Sequence, residues 1–444
     1  MRRRRSLFGP IVILAIGTLF LVRNFRPDIP VWHLVGQYWP VLLILLGVLR
    51  LIQTVAPHDP SLPPRPIVTG GEVFLIIFLC LIGVAIAHSP RMNIDPEIPW
   101  NEIFGRDYTY SHEQVQQISD DKPSIVVVNP SGEVHIEGTS EKQIEVHIEK
   151  RVNAASDDTA RQADDASPVE IVREGSDYVV RVNYNNSQRR VSVHADLDIH
   201  VPRGASVRID GKRGDVRVRD IAGAVTLNVE RGDVDVQDVD GKMKLDIRRG
   251  SVTVEHIKGG VEMDGAGSDV QISDVDGDVV VRGEYTGSIM FASLKSLHWS
   301  SNRTELEVGK LPGKVDLSSG WLTITEPEGG VTVRTSSKDV HVVDFDGPVQ
   351  ITDRDAGVEL ETSKTPVGAI NVENKSGKIE VSLPQSGKFQ VDASARSGEV
   401  YSEFSGVETH HDNNNGTMTG TVGSNGATVK LNTTYGSISL RKRG

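Results

Sequence analysis

Apolar and polar residues alternate over short runs from Ser124 onward, beginning with IVVVN, EVHIEG, QIEVHIEK, YVVRVNY and LDIHVP. Alternation at a period of two puts one row of side chains on one face of a strand, so these runs predict strands separated by turns. From Gly214 the pattern also becomes periodic. Glycine stands at 214, 223, 232, 241, 250, 259 and 277, and Ser268 and Thr286 occupy the same nine-residue register. The apolar offsets differ between alternate units. Val216, Val218 and Ile221 follow Gly214, whereas Val225, Leu227 and Val229 follow Gly223. The repeat is therefore eighteen residues made of two unlike halves.

A short strand followed by a glycine corner cannot bury its inward face alone, but stacking one coil on the next can. The expected fold is a β-solenoid, of β-helix or β-roll type, with about 18 residues per coil over 206–406. In that register Val236 lies between Val218 and Val254, while Gln237 faces solvent. Glycine suits the corners because sharp turns commonly use positive φ. The irregular strands of 124–205 and the tail of 407–444 are expected to cap the two open ends, which would otherwise be exposed strand edges.

Upstream the pattern is different. Three apolar stretches predict membrane helices at about 7–23, 38–52 and 71–88, each near the roughly 17–25 residues that a bilayer requires. Between them and the strands, 89–123 is proline-rich and polar and is expected to be a linker or stalk, with a short helical turn near 113–118. Residues 153–168, NAASDDTARQADDASP, lack an apolar cluster and predict a loosely held insertion.

Charge divides along the same boundary. The first 100 residues hold nine Lys or Arg against five acids, so with a whole-chain net charge of −12 the remainder carries −16. Such an acidic domain predicts no basic stripe for phosphates, hence no nucleic-acid partner, and repulsion from anionic lipid. Arg2 to Arg5 favour a cytoplasmic N-terminus, and three crossings then place the β-domain outside the cytoplasmic membrane. The single cysteine, Cys80, excludes an intramolecular disulfide.

Candidate chemistry is sparse. Asp215, Asp233 and Asp269 form one column at the eighteen-residue period, and Asp220, Asp238 and Asp274 another, with Ser251 and His256 interrupting them. Aspartate beside a turn accepts local backbone hydrogen bonds, which accounts for both columns without a metal. Trp299 and Trp321 could stack on a sugar ring, but core or corner packing explains them as well. His410, His411 and Asp412 sit in a polar turn with no further His or Cys nearby. No phosphate loop, nucleophile elbow or zinc-protease motif occurs. The pattern assigns no catalytic, cofactor-binding or metal-ligating residue, and no cofactor.

The run LDIHVPRGASVRIDGKRGDVRVRDIAG, followed by SGKIEV and SGEVYSEF, resembles the adhesin-type β-strand repeat family of bacterial envelope proteins, over about 124–440. FGPIVILAIGTLFLVRN with YWPVLLILLGVLRLI resembles the transmembrane region of LiaI and LiaF type envelope-stress proteins. Those resemblances imply a membrane-tethered bacterial envelope protein with no established catalytic residues. It would contact the lipid bilayer through residues 7–88 and a protein or glycan of the envelope through the β-domain. Two other functions stay open: an envelope-stress regulator acting through a membrane kinase, and a β-helix carbohydrate-active enzyme.

Overall fold

The computed structural model describes residues 105–184 and 191–443. The three expected membrane helices lie outside the described residues. Among the described residues no helix is long and apolar enough to cross a membrane. Residues Asn101–Gly444 form one compact unit, and among the described residues thirty strands join a single hydrogen-bonded network.

The N-terminal part contains β1 (Arg106–Gln117), β2 (Ser124–Asn129), β3 (Val134–Thr139), β4 (Gln143–Ala154), the helix α1 (Asp157–Asp165), β5 (Val169–Glu174), β6 (Asp177–Val182) and β7 (Ser192–Pro202). Two expectations are corrected here. Residues 106–117, read as part of a stalk with a helical turn, form β1, which pairs antiparallel with β4 along its whole length. The segment read as a loose insertion contains α1. Ser156 caps it by accepting the Thr159 N–H, and Ala160 and Ala163 are buried beside Val152 and Ala154. Its last turn is pinned by Asp164, whose carboxylate is 2.7 Å from Lys150 Nζ and 3.0 Å from His112 Nε2.

The regular part follows as β8 (Ser206–Gly211), β9 (Val216–Ile221), β10 (Val225–Val229), β11 (Val234–Val239), β12 (Met243–Ile247), β13 (Val252–Ile257), β14 (Val261–Gly267) and the long β15 (Val270–Tyr285). Successive strands fall alternately into two parallel ladders. In ladder one Val207, Val225, Met243, Val261 and Val279 are register partners. In ladder two the partners are Val216, Val234, Val252 and Val270. Each step is eighteen residues. Val218, Val236 and Val254 stack in one buried row, while Gln237 stays partly exposed.

The unlike halves have a backbone cause. Asp220, Asp238, His256 and Asp274 all adopt positive φ of 54–57°. This left-handed residue bends each ladder-two strand, so its third inward side chain comes three residues after the second rather than two. Asp and His are among the side chains that tolerate the conformation best. The glycines serve two roles rather than one. Gly232 has φ +149°, whereas Gly241 is not in the positive region and is required by close approach: a Cβ there would lie 2.1 Å from the Gly223 carbonyl oxygen.

The progression then reverses. After β16 (Ile289–Ser300), strand β17 (Thr304–Leu317) runs back antiparallel across both ladders. Then β18 (Trp321–Thr325) and β19 (Glu328–Thr335) pair antiparallel to it and restore the original direction. Parallel stacking resumes through β20 (Asp339–Val343), β21 (Val349–Asp353), β22 (Val358–Glu361), β23 (Ile370–Ser376) and β24 (Ile379–Pro384). The remaining strands are β25 (Phe389–Ser397), β26 (Val400–Ser402), β27 (Val407–Asp412), β28 (Asn415–Val422), β29 (Ala427–Tyr435) and β30 (Ile438–Arg443).

Both ends depart from chain order. The first coil, β2 and β3, slots between β6/β7 and β8/β9. The last, β29 and β30, slots between β23/β24 and β25/β26. The tail of 407–444 is thus only in part a cap. β28 pairs antiparallel with β25 and β27 in turn with β28, but β29 and β30 are interior to the stack.

Candidate functional site

Both aspartate columns are occupied by the fold. The second supplies the left-handed residues just described. In the first, Asp215 Oδ1 accepts the Asp233 N–H at 2.9 Å, Asp233 Oδ1 that of Ser251 at 2.8 Å, and Asp269 Oδ1 that of Ser288 at 2.7 Å. Each carboxylate thereby ties its own corner to the corner of the next coil.

The opposite charge gathers immediately before those corners. Lys212 and Arg213 precede Gly214, Glu230 and Arg231 precede Gly232, and Arg248 and Arg249 precede Gly250. The corners are stacked by hydrogen bonds from Gly214 N–H to the Arg231 carbonyl and from Gly232 N–H to the Arg249 carbonyl, each 3.0 Å. Arg213, Arg231 and Arg249 therefore lie one strand spacing apart, about 4.8 Å. All five cations are exposed and line a groove of about 610 Å³ with Pro130, Ser131 and Glu230. Among the described residues none of the five side chains forms an ion pair, whereas Arg217 and Arg219 on the adjacent face pair with Glu133 and Asp235. Asp210 and Asp246 line an adjoining pocket that shares Lys212, Glu230 and Arg248 with the groove. Behind Ser131, Tyr184 donates to the Ser131 carbonyl at 2.6 Å, and burial pushes its phenol up, so it remains a donor.

The expectation that an acidic domain carries no basic stripe is corrected by this column. Net charge averaged over a domain conceals a local run, and the signal was present as KRG, ERG and RRG at the eighteen-residue spacing.

The two tryptophans separate. Trp299 is buried, with Tyr285 and Phe291 ring centroids at 5.6 and 5.9 Å. Trp321 is 49% exposed at the start of β18, so core packing does not explain it. His410, His411 and Asp412 lie exposed along β27 rather than in a turn. Strand register brings together imidazole and carboxylate groups from different strands: Glu145 and His147 with His200; His298 with Glu305 and Glu307; and His341 with Glu359 and Glu361. The sequence reading found none of these groups.

Residues 123–441 match the Toastrack DUF4097 family, and residues 7–51 match the LiaI-LiaF-like transmembrane region. No curated protein matches the chain. Among solved structures, a candidate cell adhesion protein from Clostridium sporogenes is 9% identical with a TM-score of 0.19, covering 75% of this chain and 100% of its own. A candidate adhesin from Bacteroides fragilis is 10% identical with a TM-score of 0.23, covering 75% and 97%. These likenesses are too slight to carry a conclusion.

Proposed function

We infer the function from the family the chain belongs to, Toastrack DUF4097, and from the basic column of its middle coils. The chain is a membrane-anchored envelope protein with a LiaI-LiaF-like transmembrane region ahead of a large β-domain. In our reading three helices at about 7–23, 38–52 and 71–88 cross the cytoplasmic membrane. Arg2 to Arg5 keep the N-terminus inside and so put the β-domain outside. The two ladders are the faces of a β-solenoid of about eighteen residues per coil, and the domain acts as a non-catalytic, adhesin-like binding module.

The partner that suits it is an anionic polymer of the envelope, with phosphate or carboxylate groups recurring along its length. The observation that carries this is the exposed column Arg213, Arg231 and Arg249, flanked by Lys212 and Arg248, without ion-pair partners among the described residues of an otherwise acidic domain. Guanidinium groups bind phosphate and carboxylate oxygens in a bidentate manner. Like charges on neighbouring corners repel until an anion lies between them. A second reading, an envelope-stress regulator acting through a membrane kinase, is favoured by the match at 7–51.

The test is a titration of the full chain in detergent micelles with long-chain polyphosphate and with polygalacturonate. Binding should weaken steeply with salt and fall at least about tenfold in the triple variant Arg213→Glu, Arg231→Glu, Arg249→Glu, since each tenfold loss is only about 1.4 kcal/mol. Arg282→Glu, at a residue already paired with Glu262 and Asp264, should leave it unchanged. Absent binding, or equal losses in the two variants, would remove the column as the contact surface. Co-purification of a kinase with a protein that binds no polymer would favour the regulator.

A further inference from the structure

The outer surface of the N-terminal cap carries a second arrangement, separate from the basic column. On adjacent strands β3, β7 and β4 the outward residues form two rows of three. Glu137, His200 and Glu145 are register partners in one row, and His135, Asp198 and His147 in the other. Carboxylate and imidazole alternate in both directions, as on a chequerboard. Nothing about ladder pairing requires this, because outward positions elsewhere on the same strands hold Ser192, Arg151 and Glu149.

We propose that this face holds a divalent cation of the zinc class, ligated by His147, His200 and Glu145. The His147 Nε2 is 3.1 Å from Glu145 Oε1, and the His147 and His200 rings meet edge to face at 6.0 Å. One ligand atom from each of the three residues lies within 4.8 Å of the other two. Bonds of roughly 2.0–2.2 Å to zinc put neighbouring ligand atoms about 3.4 Å apart. Closing that difference requires only rotation of partly exposed side chains, since the strands that carry them are already paired.

The chemistry of the set selects the metal. Two imidazoles and one carboxylate suit zinc and its first-row neighbours, whereas calcium and magnesium take oxygen ligands. Protein ligands would fill three positions and leave the fourth to water or to Glu137, whose Oε2 is 3.8 Å from His200 Nε2. Metal-bound histidines commonly donate their second ring N–H to a carboxylate, and Asp198 stands directly across from His147. On the same face His135 Nε2 and Asp198 Oδ1 are buried without a hydrogen bond. Asp198 Oδ1 is 3.2 Å from His135 Nδ1 but outside bonding geometry. The clusters around His298 and His341 contain one imidazole each, which makes them weaker sites and useful controls.

The experiment uses the full chain in detergent micelles, stripped of metal and titrated with Zn²⁺ against a chromophoric chelator, with Co²⁺ absorption as a direct probe of the ligand set. The expected result is one Zn²⁺ per chain, no competition from excess Ca²⁺, and a Co²⁺ spectrum of nitrogen and oxygen ligation. The double variant His147→Gln, His200→Gln should weaken binding by more than the roughly 10–100-fold that loss of an outer-shell group costs. Its metal-free melting curve should match the parent, because both side chains point outward. His298→Gln, His341→Gln and the pair His410→Gln, His411→Gln should leave affinity unchanged. Failure of the parent to bind, retention of binding in the double variant, or loss in any control would overturn the assignment.

Discussion

The coils of 206–285 and the reversed segment of 289–335 fill one continuous core by different means. In the regular coils each corner must reproduce the one before it, because backbone approaches backbone: a Cβ on Gly232 would stand 2.0 Å from the Gly214 carbonyl oxygen. The left-handed residue also recurs at 220, 238, 256 and 274. In the reversed segment β17 meets both neighbours antiparallel, and side chains of unequal size occupy the interior. Trp299 and Phe291 are buried there, with the partly buried Tyr285 at the end of β15 against Trp299, where the regular coils stack mostly valine on valine. Parallel stacking thus constrains the backbone at every corner, whereas antiparallel pairing asks mainly for alternation.

The most severe test of this contrast lies in the regular stack. Val236→Asp forfeits a buried side chain and puts an unpaired carboxylate between Val218 and Val254, a cost of about 5 kcal/mol or more. Gln237→Asp, one residue later and outward, should change stability by no more than about 0.5 kcal/mol. Thermal melting of the two variants, followed by circular dichroism, should show a large loss only for Val236. Equal melting temperatures would contradict the register of the valine rows.

What was legible in the sequence follows from the same contrast. The register of Val216, Val234 and Val252 could be read because the corner glycines recur with it. Ser293 and Glu326 also adopt positive φ, yet neither residue type signals that conformation, so the bend could not be traced through the reversal. The alternation of β29 resembles that of any other strand, and alternation says nothing about which coil is a neighbour, so the interior placement of the last coil was hidden. α1 escaped notice because its buried face is alanine and its anchor is the Lys150–Asp164 pair, not a large apolar side chain. The histidine and carboxylate rows required cross-strand register, and 53 residues separate His147 from His200.

A second comparison concerns the corners themselves. Gly232→Ala would meet both the Gly214 carbonyl and an unfavourable φ of +149°, and should cost about 2–4 kcal/mol from strain and overpacking. Gly320→Ala, in the turn before β18, meets no atom within 4 Å and has no positive φ. It should be neutral to within about 0.5 kcal/mol. Urea unfolding of both variants measures the difference. A tolerant Gly232 would mean that the coils can separate at a corner, and the account of why glycine recurs would fail.

The smallest effect is expected at Asp353, where the stack has resumed beyond the reversal. Its carboxylate is buried, with Oδ2 accepting the Ala356 N–H at 2.9 Å and Oδ1 unpartnered. Burial raises its pKa above the ordinary aspartate value, with Asp355 and Asp339 adding to the shift and the Arg354 and Ala356 amides opposing it. The folded chain therefore retains this proton to higher pH than the unfolded chain. Stability falls as pH rises from the usual carboxylate range through the raised value, and the penalty persists at neutral pH. The register partner in the next coil is Asn374, whose Nδ2 donates to the Ala356 carbonyl at 2.7 Å while its Oδ1 accepts the Ser376 N–H. Asn129 makes the corresponding pair of bonds near the other end of the stack. Asp353→Asn should likewise keep an acceptor for Ala356 and remove the charge, raising the melting temperature at pH 7 by roughly 1–2 °C, equivalent to about 1 kcal/mol. At a pH below about 3.5, where aspartate is largely protonated in both states, the gain should vanish. A gain of equal size at both pH values would point to the amide donor rather than the buried charge, and a loss at pH 7 would mean that the carboxylate is needed at that corner as the aspartates are at theirs.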